Sequence, residues 1–321
     1  MRAEIRKLQR LGSGSIVVTI PKSWASRLGL EPGVSVMLID EDDSIRILPL
    51  KGTQAGESYL DLSKVTPRLV EGLPICTYLT GLKKVRVRLP QEDGELLLKL
   101  ISRAMNFVGL QVFSAGPSEA RVEVLLDHDK IDHVKLIRNM GTVLEDLTRL
   151  LEDAIKKGQA DMVKADLLRR ELLRELYMAI RYLLSTHITT ESIVSKELSA
   201  LVASYLGLVI DLLYESLVLI NTSDPSSLGE GDRRILGDLY GSLAGTSVMF
   251  VKAIASPSTS RVEALYGMVA QIKARAEDSL SSLETPFAGV LLGRIMDVVR
   301  VLTLASHILT CLTILERAKT V

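Results

Sequence analysis

The chain has few of the residues that usually announce chemistry. It holds two cysteines, one tryptophan, four phenylalanines and four histidines in 321 residues. Cys76 and Cys311 are far apart and each sits in an apolar stretch, which excludes a cysteine metal cluster and leads one to expect two buried thiols in a reducing compartment. There is no excess of either charge, since 39 Lys+Arg balance 39 Asp+Glu, so any footprint for nucleic acid must be local. The start MRAEIRKLQRLGSG lacks the apolar core of a signal peptide, and export is not expected. The longest uncharged apolar run, 301–315, is shorter than the ~18 to 20 residues that cross a bilayer, and reads as a core helix with no membrane insertion. No Ser/His/Asp arrangement, phosphate-cradling glycine loop or paired catalytic carboxylate is present, and the expectation is a protein that is not an enzyme.

A chain of this length is expected to form several domains, and three textures follow one another. In 3–50, short apolar or alternating stretches at 5–11, 16–20, 34–39 and 45–48 are punctuated by Gly12-Ser13-Gly14-Ser15, Glu31-Pro32-Gly33 and Asp42-Asp43. Between the second and third, 21–28 suits a short helix opened by Pro21 and stopped by Gly29. Such thin strands bury little surface alone, so this part is expected to be an obligate dimer. From 59 to about 127 the pattern is α/β, with helices at 67–80 and 94–108 and strands at 85–89, 110–114 and 121–126. Beyond 129 nearly everything is helical, with apolar residues at three and four spacing such as Leu144, Leu147, Leu150, Leu151 and Ile155. Breaks near Gly158, 187–190, 222–232, 256–260 and 285–286 make six long helices, three on each side of the loop 221–227, and a shift of about 100 residues places Gly141-Thr142 on Gly241-Ser242.

Charge is the sharpest local signal. Residues 1–30 carry six Lys/Arg against Glu4, a net of +5, while 31–50 carry five acids against Arg46, a net of −4. Alternation along the first strand puts Arg6 and Arg10 on one side, and a symmetric partner would double that patch into a stripe able to follow phosphates.

The stretch RKLQRLGSGSIVVTIPKSWASRLGLEPGVSVML resembles the AbrB/MazE/SpoVT family. The matching elements are the basic first strand, the glycine turn, Ile16-Val17-Val18-Thr19-Ile20-Pro21-Lys22, Leu28-Gly29-Leu30 and Pro32-Gly33. The resemblance implies a swapped-hairpin homodimer that contacts DNA through the first strand, the turn and the short helix, and Arg6, Arg10 and Lys22 fall on such positions. Family members often carry an arginine in the turn, where this chain has Ser13, Gly14 and Ser15. Residues 129–321 resemble the PhoU family, built from two three-helix repeats, and the whole chain resembles prokaryotic regulators that fuse the two parts.

The expected fold is therefore multi-domain: a small swapped-hairpin β domain (1–51), a small α/β middle domain (59–127), and an all-α C-terminal region of two three-helix bundles (128–222 and 226–321). PhoU-like proteins often hold iron or zinc through acids spaced four apart. Here Glu171 with Glu175 and Asp211 with Glu215 have that spacing, and Asp166 would lie level with Asp211, yet acids so few read as a solvated face. No metal and no cofactor are expected. His128 and Asp132 could converge across one turn, but an aspartate N-cap explains them better. His187 is isolated at a helix end, and His307 reads as a core imidazole. The expected function is a cytoplasmic DNA-binding transcriptional regulator linked to phosphate homeostasis, with a phosphate-transport or signalling protein as a further partner. The alternatives are an accessory scaffold on a phosphate transporter, with the N-terminal part serving dimerisation, and an antitoxin.

Overall fold

The computed structural model describes residues 4–40, 44–49, 58–80, 82–90, 94–116, 118–126, 132–185 and 193–318. They fall into two compact units, Met1–Gly56 and Glu57–Val321.

In the first unit β1 (Gln9–Leu11) pairs antiparallel with β2 (Ser15–Val17), α1 spans Lys22–Arg27, and β3 (Val36–Asp40) pairs antiparallel with β4 (Ile45–Pro49). This is the anticipated order of elements. The carbonyl of Pro21 accepts from the backbone N–H groups of Trp24 and Ala25, opening α1, and Gly29 closes it in the left-handed region at φ 65°. A tight turn follows, with Gly33 at φ 89° and the Val34 N–H bonded to the Glu31 carbonyl. Strand β1 is shorter than the 5–11 expected, because Glu4 to Leu8 find no ladder partner.

The second unit begins with a four-stranded sheet in the order β5 (Ser58–Asp61), β6 (Lys84–Arg88), β8 (Glu119–Val124), β7 (Leu110–Gly116). Only the β5–β6 pair is parallel. Strand β5 was not expected, since SYLD is too short to show a period. Helices α2 (Pro67–Val70), α3 (Leu73–Leu79) and α4 (Gly94–Ala104) connect the strands, and α2 and α3 break the single helix anticipated over 67–80 at Gly72. Val85, Val87, Ala120, Val122, Leu96, Leu100 and Tyr78 are buried together in a core of their own.

Six long helices follow among the described residues: α5 (His133–Lys157), α6 (Met162–Ser185), α7 (Ile193–Thr222), α8 (Glu230–Ala255), α9 (Thr259–Ser279) and α10 (Pro286–Ala318). Their ends obey local chemistry. Asp132 caps α5 by accepting from the Lys135 N–H, Gly158 ends it at φ 70°, and Ser258 caps α9. Helix α5 packs on α8 and α7 on α10, while α6 joins α5 to α7 and α9 joins α8 to α10, so the two sets of three pack like against like. A Cβ on Gly141 would meet Val251 at 3.4 Å, whereas one on Gly241 would meet nothing. The two glycines are thus not equivalent, and the helix starts at 133 and 230 imply a shift shorter than the one that aligned them.

Buried Asp232, in the first turn of α8, accepts from the backbone N–H groups of Glu284 (2.9 Å) and Thr285 (3.1 Å) and from the Thr285 hydroxyl (2.6 Å). It satisfies donors that open α10 and would otherwise lack partners. Helices α7 and α10 contain stretches long and apolar enough to cross a membrane, with mean hydropathies of 1.7 and 1.6. Helix α7 packs against α5, α6, α8 and α10, and α10 against α7, α8 and α9, with Asp211 of α7 and Arg294 of α10 ion-paired to side chains of other helices.

Candidate functional site

Among the residues of 4–47 whose side chains are described, none is buried. Leu11, Ile16, Leu38 and Ile45 are 63, 70, 65 and 72 % exposed, although the hairpins that carry them are formed. Aliphatic side chains in paired strands normally face a core, and burying one is worth ~1.5 to 3 kcal/mol. The unit therefore has hydrogen-bonded strands and a turn-capped helix but no interior.

On this framework Arg10 lies in β1 opposite Ile16, exposed, and Lys22 is the exposed first residue of α1. Arg6 precedes the strand, so alternation does not place it beside Arg10, and its guanidinium is ion-paired with Glu4, the one acid of that segment. Lys22 stands where the first backbone N–H groups of α1 lack intrahelical partners. Two cations and a helix start can hold phosphate oxygens, which position a duplex without reading it. The turn supplies Ser13, Gly14 and Ser15 and no guanidinium.

Three of the acids considered as ligands are taken by arginines or a tyrosine. Asp211 accepts from Arg169 Nε and Nη2 at 2.9 and 2.7 Å, Asp166 accepts from the Tyr214 hydroxyl, and Glu215 lies 3.3 Å from Arg294. These contacts join the antiparallel α6 and α7, and α7 to α10. Glu175 differs: its Oε2 is buried with no hydrogen-bond partner, and burial, aided by neighbouring Glu171, pushes its carboxyl above the usual range. Among the described residues no group of three His, Cys, Asp or Glu could hold a metal. Residues 127–131 and His187 lie outside the described residues. His307 is exposed, its ring tilted 45° against that of Tyr266 at 5.8 Å between centroids, so it is not a core imidazole. Cys76 and Cys311 are exposed as well, contrary to the expectation of buried thiols. A helix turns about 100° per residue, so apolar neighbours in sequence do not share a face.

Two features escaped the sequence reading because they join distant segments. Arg181 of α6 is fully buried, donates to the carbonyls of Thr77 and Tyr78, and lies over the Tyr78 ring. Burial lowers its pKa to about 10 and raises that of Tyr78 to about 12. Nearby, a cleft of about 430 Å³ opens between α6 and the α3–α4 side of the sheet, with Arg103, Arg169 and Arg170 facing Glu71 and Asp166 over a wall of Ile75, Phe107 and Leu173. Arg103 is ion-paired with Glu71.

No curated protein and no solved structure matches the chain. Residues 9–55 match the family model of MazE, described as antidote-toxin recognition MazE, bacterial antitoxin. The N-terminal unit is thus MazE/AbrB-like, a type that supports a DNA-binding or antitoxin-like regulatory role.

Proposed function

We propose that the protein is a cytoplasmic transcriptional regulator whose N-terminal units dimerise by interleaving hairpins and hold duplex DNA through Arg10 and Lys22, with Arg6 contributing less. The observation that carries this reading is the unit with formed hairpins and no buried residue: a second copy laid against Leu11, Ile16, Leu38 and Ile45 supplies the missing interior. The same symmetry brings two Arg10 and two Lys22 to one face, while the acidic second hairpin stays clear of phosphate. The helical region then acts as the part that senses a state or partner. A link to phosphate supply rests on its resemblance to PhoU-like helices alone. Enzymatic activity and a resident metal are not part of this reading.

The deciding experiment is a salt series of duplex DNA binding by the full chain, with fragments of its own genomic DNA as competitor. Affinity that falls steeply with salt and weakens on Arg10→Ala supports the regulator. No binding at low salt would leave the N-terminal unit as a dimerisation module of a scaffold. The matched family's name favours a second reading, an antitoxin that covers a toxin with the same exposed aliphatic residues. Rescue of growth in cells expressing a co-encoded toxin would support it.

A further inference from the structure

The four-stranded sheet ends on β7, at an edge with which none of the described residues pairs, and the strand and helix that meet there are both apolar. Helix α4 packs on β7 and α3 on β8, so α4 is the outer of the two helices. Its flank toward α3 is polar, since Lys99 and Arg103 both reach Glu71, just ahead of α3. The opposite flank looks out past β7 and carries Leu97, Leu98, Ile101 and Met105 at three and four spacing, with Leu98 and Met105 67 and 74 % exposed. Beside it β7 reads LQVFSAG, without charge or proline, and Phe113 is 43 % exposed. Proteins usually guard a free edge with lysine, proline or a very short strand. The other edge, β5, is guarded in that way, being four residues long and ending in Asp61.

The hydrogen-bond phase of β7 follows from its pairing with β8. The Leu125 N–H donates to the Gly109 carbonyl at 2.8 Å, one step before Leu110, which faces Val124. Bonded positions alternate in an antiparallel pair, so Gln111 and Phe113 bond inward to β8. The N–H and C=O groups of Val112 and Ser114 therefore point off the free edge. The Leu110 N–H is already taken by the Phe107 carbonyl. The strand stays regular through Ser114, and its bulge comes only after it, before Gly116.

We propose that this edge pairs with the same edge of a second copy, antiparallel and about a two-fold axis through Phe113. In that register Val112 of each copy faces Ser114 of the other, so every outward N–H meets an outward carbonyl and nothing is asked of Leu110. Phe113 then meets its own mate at the unbonded, closer position, as an aromatic pair on the face of the sheet away from α4. On the covered face the two α4 helices come side by side and bury Leu98, Ile101 and Met105 against each other. A register centred on Val112 would put Phe113 opposite Gln111 and need the occupied Leu110 N–H. The occupant is a copy because the strip complements itself. Strand phase, ring and helix flank all match under a two-fold, and neither copy brings a charge that its mate would repel. Nucleic acid would need cations, and Leu97, Leu98, Ile101, Met105 and β7 supply none. The contact is separate from the N-terminal hairpins and does not rest on their reading.

The test is disulfide trapping of the concentrated full chain carrying Cys76→Ser and Cys311→Ser, because a contact of one short strand and one helix flank is small and separates on dilution. Phe113→Cys puts two thiols at the close, unbonded position, and under mild oxidation most of the chain is expected to run as a linked dimer. Gln111→Cys is the register control, since its mate lies four residues along the partner strand, roughly 14 Å away, and should stay unlinked. Adding Leu98→Glu with Met105→Glu should abolish the Phe113→Cys link, whereas Leu98→Met with Met105→Leu should keep it. Both residues are exposed, and unchanged melting curves will exclude unfolding. Adding Leu38→Asp, which strikes the hairpins alone, should leave the link in place, so either contact can fail without the other. The proposal is overturned if Phe113→Cys does not link, which would leave the strip to a different partner, or if Gln111→Cys links as readily. It is equally overturned if the link vanishes with Leu38→Asp, which would mean that the hairpins alone hold the chains together.

Discussion

The guanidinium of Arg181 lies 4.9 Å from the centroid of the Tyr78 ring and donates to the Tyr78 carbonyl, and both residues are fully buried. Through this pair α6 grips α3, and the sheet is fastened to the helices by an arginine in place of an aliphatic side chain. Arg181→Ala removes the cation–π contact and the donors to Thr77 and Tyr78, and leaves a cavity. The expected loss is about 3 kcal/mol or more, measured by chemical denaturation. Arg181→Met, which refills the volume, should recover part of it. A loss below ~1 kcal/mol for the alanine variant would show that the contact is not structural.

Asp232 is the counterpart within the helical region. Asp232→Ala strands two backbone N–H groups and the Thr285 hydroxyl at the start of α10. A cost of ~2 to 4 kcal/mol is expected, with hydrogen exchange accelerated first in the opening turn of α10. Uniform acceleration across all helices would contradict a local capping role.

Glu175 should make stability depend on pH in the direction opposite to a salt-bridged acid. Its carboxyl titrates above the ordinary value because burial disfavours the charge. The penalty is therefore complete above the raised value and vanishes as pH falls below the ordinary carboxylate value of ~4.3. Glu175→Gln should melt at higher temperature than the parent at neutral pH, with the gap closing in acid. An equal gap at both pH values would remove the electrostatic explanation.

For duplex DNA, Arg10→Ala and Lys22→Ala should each flatten the plot of log affinity against log salt by roughly one unit per phosphate contact, doubled in a symmetric dimer. Arg6→Ala should do less, because Arg6 already spends its charge on Glu4. Arg46→Ala, in the acidic half, is the control. Equal slopes for all four variants would exclude phosphate contacts by this face.

Dimerisation has its own signature. Leu38→Asp should shift the sedimentation of the full chain toward a smaller, hairpin-unfolded species, because a charge at an interleaved core is costly. An unchanged species would mean that the exposed aliphatic residues serve another partner.

Much of the architecture was legible in the sequence because it depends on neighbours. Helix ends at Gly158, Thr222 and Pro286, the turns at Gly29 and Gly33, and the charge split between the two hairpins all arise from residues a few positions apart. The tertiary structure alone decided which face of each element is used. Cys76, Cys311 and His307 sit in apolar stretches yet turn outward, since composition does not set the phase of a helix. The acids Asp166, Asp211 and Glu215 are spaced like ligands but meet a tyrosine and two arginines brought in from elsewhere in the chain. The row Tyr59, Arg86, Arg121, Phe113, matched across the sheet by register, is spread over 63 positions and exists only because the sheet order places β8 between β6 and β7. Hydrogen-bond register is set by packing over the whole sheet, which no local pattern encodes.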